Sequence, residues 1–301
     1  MSTLALISFA TFIITMMFQT GLQTTRGDLD AMAHRGHDIW RGVVLMLVVS
    51  PLVAFLLVHL AGLKGPMATS LLVLSVVGVM PIFPRAACKV DGDLALAIVL
   101  MFLLGGITVV TAAPTASWLI SYTGPRNAVP VARLVAQLVL LQAAPLILGR
   151  LVRARTSWGL KVRKVVQVVN IVALAALVAF LLLPHLRDVL AVSGTVAVLA
   201  VVQSLILAAA GWLIGGRSHA VRRTLAVMVN PPNVGLATIL VSSVPGAPRL
   251  LPVVVIGLFL VRAVVSIGVQ LGITASLRRA DRRGDTDAGI PASRRRTVHS
   301  S

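Results

Sequence analysis

The stretch Met228–Ala237 reads MVNPPNVGLA: two adjacent prolines inside an apolar run, with an amide on each side. Asn230 and Asn233 each offer donors and an acceptor to a ligand. Pro231 and Pro232 lack the N–H groups that would bond the carbonyls of Val227 and Met228, four residues back. The residue before a proline is also driven out of the α region, so Asn230 and Pro231 should be extended or irregular. A second break, VMPIFPRAA, places Pro81 and Pro84 where they free the carbonyls of Val77 and Met80. Arg262 stands near the middle of another apolar run, where an arginine costs about 2.5–3.5 kcal/mol on insertion scales. A guanidinium there can pair bidentately with a carboxylate or sulfate. Its other reading is an interhelical arginine satisfied by backbone carbonyls. Arg85, beside Pro84, is a second cation, either for the same site or for orienting the chain at the cytoplasmic face. The candidate substrate-binding residues are therefore Asn230, Asn233, Arg262 and Arg85, around the crossover prolines Pro81, Pro84, Pro231 and Pro232.

Those residues need a scaffold, and the composition says which kind. Of 301 residues, 57% are hydrophobic, and the apolar stretches are nearly solid. A helix in a soluble domain would show a polar face. Runs of about 20 apolar residues have the length to cross a bilayer. The expected fold is an all-α polytopic membrane protein of about nine transmembrane helices, over residues 3–22, 42–63, 66–83, 94–115, 128–149, 165–183, 189–214, 224–243 and 250–277. The first run has no basic residue before it and is read as a spanning helix, not a signal peptide. Cys88 is the only cysteine, which excludes an intrachain disulfide.

The net charge of +18 is not a nucleic-acid signature, because its distribution follows the spans. The loops after the odd-numbered spans, with the tail 278–301, hold 21 basic residues; the other loops hold only Lys64, Arg126, Arg187 and Arg249. The positive-inside rule then puts the C-terminus in the cytoplasm and the N-terminus outside. The tail is expected to be disordered. Arginine outnumbers lysine 23 to 4, which points to a GC-rich bacterial source and an inner membrane. All nine acidic residues are aspartates, and none lies well inside an apolar run.

The two broken spans are the third and the eighth. Each is followed by one more span before the chain's midpoint or its tail, and the two run in opposite directions. Paired interruptions of this kind point to an inverted-repeat transporter with its site near the midplane.

With these residues in hand, the chain resembles the bile acid:sodium symporter family over almost its whole length. MMFQTGLQTTRGDLDAM, VVSPLVAFLL, GDLALAIVL and RRTLAVMVNPPNVGLATIL carry the similarity, the last resembling a GMQNSGLA-like crossover helix. The resemblance implies inverted five-helix repeats, a panel domain and a core domain. Residues 1–115 would be a first repeat lacking the family's first helix, and 128–277 the second. Spans one, five and six would form the panel. It also implies sodium ligands that this chain does not supply. Asn233 matches the family's asparagine, but Met228 stands where an acid is expected and Pro232 where a glutamine is. Met46, Met101 and Leu104 replace further polar ligands, and PIFPRAA replaces a PGGxxSN motif. Sodium wants about six hard oxygens. Neither sodium site is therefore expected to be intact, and sodium dependence is not expected.

Other chemistry fares poorly. The six histidines lie in loops, in the tail or near a helix end, and no pair has metal-ligand spacing. No metal, cofactor or enzymatic activity is expected. Gly105 and Gly106 are read as close helix packing. The function expected is a secondary transporter that moves a small or amphipathic organic anion by alternating access. The alternatives are a sodium-coupled symporter with replacement ligands, and a degenerate transporter that acts as a sensor or binding protein.

Overall fold

The computed structural model describes residues 3–23, 36–80, 83–123, 139–155, 159–177, 194–230, 232–242 and 251–288, with a few single residues between 132 and 183. The helices are α1 (Thr3–Gln23), α2 (Gly36–Leu60), α3 (Gly65–Val76), α4 (Phe83–Lys89) and α5 (Leu94–Thr123). They continue as α6 (Ala144–Arg155), α7 (Gly159–Leu177), α8 (Gly194–Ile214), α9 (His219–Met228), α10 (Val234–Ser242) and α11 (Leu251–Ala288). Among the described residues, four helices can cross a membrane by length and composition: Gly36–Leu60, Leu94–Leu119, Gly194–Ile214 and Leu251–Arg279. Pro81, Pro231 and the tail beyond Ala288 lie outside the described residues.

Several boundaries differ from those expected from hydropathy. α2 begins at Gly36, where Asp38 lies in the first turn and pairs with Arg41 at 3.0 Å. An acid near a helix N-terminus and an i,i+3 ion pair both favour helix there. α5 runs on to Thr123 through Pro114. α11 continues past residue 277 to Ala288, so the first part of the basic tail is helical.

Local chemistry explains the breaks in register. In α2 the turn Leu45–Val49 is π-helical, with Ser50 N–H donating to Leu45 O. Pro51 follows at once and has no N–H to continue the α ladder. α5 starts behind Asp93, whose Oδ1 accepts from Leu96 N–H at 3.0 Å as an N-cap.

Packing then sorts the helices. α1 lies against α6 and α7. A Cβ on Gly21 would stand 2.1 Å from Leu146 O, and one on Gly149 2.2 Å from Phe18 O, so only glycines allow α1 and α6 to touch backbone to backbone. Asn170 on α7 donates to Phe12 O and to Thr15 Oγ1, both at 3.0 Å. Two apolar clusters form the interior, and α1 and α7 contribute Phe12, Ile13 and Ala173 to the first. The first also contains Leu72, Val77, Val109, Val234, Leu240 and Val255; the other contains Leu45, Val79, Phe83, Leu100, Leu225 and Val229. The chain passes from one cluster to the other at 77–79 and again at 229–234. Large apolar side chains such as Leu52, Leu56, Trp118, Val198 and Val264 point outward, as a lipid-facing surface requires.

Candidate functional site

The two interruptions meet. α3 ends at Val76, and Val77 is already extended, with φ −82° and ψ 143°. α9 ends at Met228. Val79 and Pro232 then form an isolated antiparallel bridge, and Asn233 N–H donates to Gly78 O at 2.8 Å. The bond falls on the residue after Pro232, so the missing proline N–H costs this pairing nothing. Gly78 fits because a Cβ there would lie 2.7 Å from Thr108 Oγ1 on α5. Asn233 also caps α10: its Oδ1 accepts from Leu236 N–H at 3.1 Å.

Pro84 behaves differently from the expectation that it breaks a span. It sits in the first turn of α4, where a missing N–H has no intrahelical partner to lose. Arg85 follows it and is exposed.

Arg262 is fully buried. Its Nη2 donates to Val229 O at 2.9 Å and to Asn230 Oδ1 at 3.2 Å. Its Nε reaches Asn230 Oδ1 at 3.3 Å, and its Nη1 reaches Leu74 O at 3.4 Å. None of these partners is a carboxylate. Asn230 is held on its other sides: its Nδ2 donates to Ser204 O at 3.0 Å, and Ser266 Oγ donates to its carbonyl at 2.6 Å. Gln270 Nε2 donates to Ser266 Oγ at 3.2 Å. Ser50 Oγ donates to Ser75 O at 2.9 Å, which covers another carbonyl at the end of α3.

A cleft, partly open to the outside, lies between α1 and α6 on one side and α5 with the crossing on the other. Val79 and Asn233 line it from the two breaks, and Met17, Thr20, Met101 and Phe102 are among its other walls. Gly105 and Gly106 also line it, and nothing lies within 4 Å of a Cβ built on either. That corrects the expectation of close helix packing at these glycines: they leave room in the cleft instead. Of the four candidate ligands, the fold brings Asn233 to the cleft and joins Asn230 to Arg262 behind it. Arg85 belongs to neither group.

Sequence reasoning missed Gln203, Ser204, Ser266 and Gln270. Arg262, Ser266 and Gln270 recur at four-residue spacing along an apolar helix, a polar stripe on one face that was there to be read. Gln203 and Ser204 are a polar pair inside an otherwise apolar helix; both are buried, and the Gln203 amide and the Ser204 hydroxyl have no partner among the described residues. Among those residues, no group of three or more His, Cys, Asp or Glu comes together.

The sequence model of the Sodium Bile acid symporter family matches residues 10–192, more than half of the chain. The protein belongs to this family. No curated protein matches it. Members of the sodium bile acid symporter family are transporters, not enzymes, so this member is an integral membrane protein of the sodium/bile-acid transporter type with a small-molecule substrate. The matched region contains the first interruption. The second lies beyond it and is tied to the first by the Asn233–Gly78 bond and the Val79–Pro232 bridge.

Proposed function

We propose that this family member is a secondary transporter that moves a small or amphipathic organic anion by alternating access, with the substrate held in the cleft against Asn233. The observation that carries the reading is the position of Asn233: it lines the cleft and caps α10. The positive end of a helix dipole therefore opens onto a largely apolar hollow. Such a hollow suits a molecule with an apolar body and one anionic end. Arg262 adds positive potential from behind the crossing, through Asn230, without touching the substrate. We read α1, α6 and α7 as the panel and the remaining helices as the core, built from inverted repeats over 1–115 and 128–277. Rocking of one against the other would expose the cleft to each side in turn.

The side chains at the crossing do not fit sodium. Met228 and Pro232 offer no hard oxygen, and Met46 and Leu104 are buried and apolar. Transport is therefore proposed to run without sodium. One observation favours a second reading, a sodium-coupled carrier with replacement ligands: the unpartnered amide of Gln203 and hydroxyl of Ser204 are hard ligands beside Asn230's partner carbonyl.

The test is uptake of labelled amphipathic carboxylates and sulfates into proteoliposomes that contain only this protein, in sodium, potassium or choline salts. Saturable uptake of at least one anion, equal in the three salts, is expected. Uptake of none would end the transporter reading, and stimulation by sodium alone would favour the second one.

A further inference from the structure

We propose that Arg262 is a tethered cation: its guanidinium fills an oxygen-lined cation site at the point where α3 and α9 end, and the protein therefore needs no inorganic cation there. The idea rests on the transporter reading only for its meaning in transport; the binding chemistry stands on the crossing itself.

Three observations carry it. Leu74 O lies in the last turn of α3, and Val229 O comes just after the end of α9. The carbonyl ends of two interrupted helices therefore converge on one spot, and each brings the negative end of its dipole. In interrupted-helix transporters, unwound carbonyls and half-helix C-terminal ends are where a coupling cation binds. The occupant here is the guanidinium, which reaches Leu74 O, Val229 O and Asn230 Oδ1. Finally, no carboxylate is among its partners, and the residue is fully buried. A buried charge without a counter-ion is kept only where oriented dipoles replace water, and here the two helix ends and the Asn230 amide do so. Asn230 is fixed for that task by Ser204 and Ser266.

The consequence is chemical. An inorganic cation comes and goes, and so can be coupled to transport. A side chain on α11 cannot leave, so the site holds its charge in every state. Loss of the guanidinium should leave an oxygen cage that accepts a small planar cation.

The experiment is thermal unfolding of the purified, detergent-solubilised full chain, read at constant ionic strength. The wild type should melt alike in sodium, potassium and choline chloride. Arg262→Ala should melt lower in choline, and low-millimolar N-ethylguanidinium should restore much of the loss saturably. Urea, a neutral molecule of similar shape, should not. If Arg262→Ala yields no folded protein, Arg262→Lys and Arg262→Met decide, since one keeps the charge and the other keeps only the bulk. Lys melting above Met supports the proposal; Met equalling or exceeding Lys overturns it. Stabilisation of the wild type by sodium over choline overturns it, as do rescue by urea to the same degree and a folded Arg262→Ala that melts like wild type. A coupled ion would also change substrate affinity by about 5–150-fold, and no such change is expected here. Because melting is read without substrate, failure to transport any anion would leave this result standing and sink only the transporter reading.

Discussion

Replacing Gly78 with alanine tests whether the two interruptions must touch. The added methyl would stand 2.7 Å from Thr108 Oγ1, 3.2 Å from Thr108 Cγ2 and 3.3 Å from Leu104 O. Carbon prefers neighbours at about 3.5–4.0 Å, so something must move. Thr108 is poorly placed to yield, because it is buried and its hydroxyl donates to Leu104 O at 2.6 Å. Rotating it away loses a hydrogen bond worth about 0.5–1.5 kcal/mol net. Moving the 77–79 segment instead strains the Asn233–Gly78 bond, of similar worth. Overpacking of this kind costs about 1–3 kcal/mol, and that is the expected loss for Gly78→Ala. Thr108→Ala removes both of the closest atoms, and the next nearest, Leu104 O, stands at 3.3 Å. The cost of Gly78→Ala should therefore shrink in that background, with a coupling of about 0.5–3 kcal/mol. The assay is thermal unfolding of the wild type, both single variants and the double variant in detergent, with uptake measured in parallel. Equal destabilisation by Gly78→Ala with and without the Thr108 side chain would refute the contact. No destabilisation at all would refute the packing of the crossing on α5.

Three further outcomes follow from named contacts. Asn233→Ala should cost about 1 kcal/mol of stability by uncapping α10 and should also weaken anion uptake, whereas Asn233→Asp should keep the cap and lose uptake; wild-type uptake by Asn233→Asp would remove the residue from the substrate site. Gly149→Ala should be strongly destabilising in a melting assay, because its Cβ meets the backbone oxygen of Phe18 and no side-chain rotation can relieve that; a neutral result would show that α1 and α6 are not in backbone contact. Gln203→Met should raise the melting temperature, since an unpartnered buried amide costs about 1–3 kcal/mol; a fall in melting temperature, or a loss of sodium-stimulated uptake, would instead make the amide a ligand.

Much of the helical scaffold could be read locally. Runs of apolar residues forecast α1, α2, α5, α8 and α11, because an unbroken apolar run in lipid has no alternative to a helix. Prolines marked the two interruptions, though Pro84 begins α4 instead of breaking a span, since a helix's first turn tolerates what its middle does not. Which face of each helix turns inward was not readable. Segments that are apolar all round carry no stripe to say so. That is why Gly105 and Gly106 were read as packing when they line a cleft.

Residue types and spacing thus determined that the chain is helical, lives in a membrane, breaks its helices at two prolyl sites and buries one arginine. Asn233 on the wall of the cleft, Arg262 behind it with carbonyls for partners, and the pairing of Gly78 with Asn233 were decided only by tertiary structure. The physical reason is separation along the chain. Hydropathy and proline geometry act within a turn or two of helix. The crossing joins backbones 155 residues apart, and the oxygens around Arg262 come from two helix ends that no local pattern relates to one another.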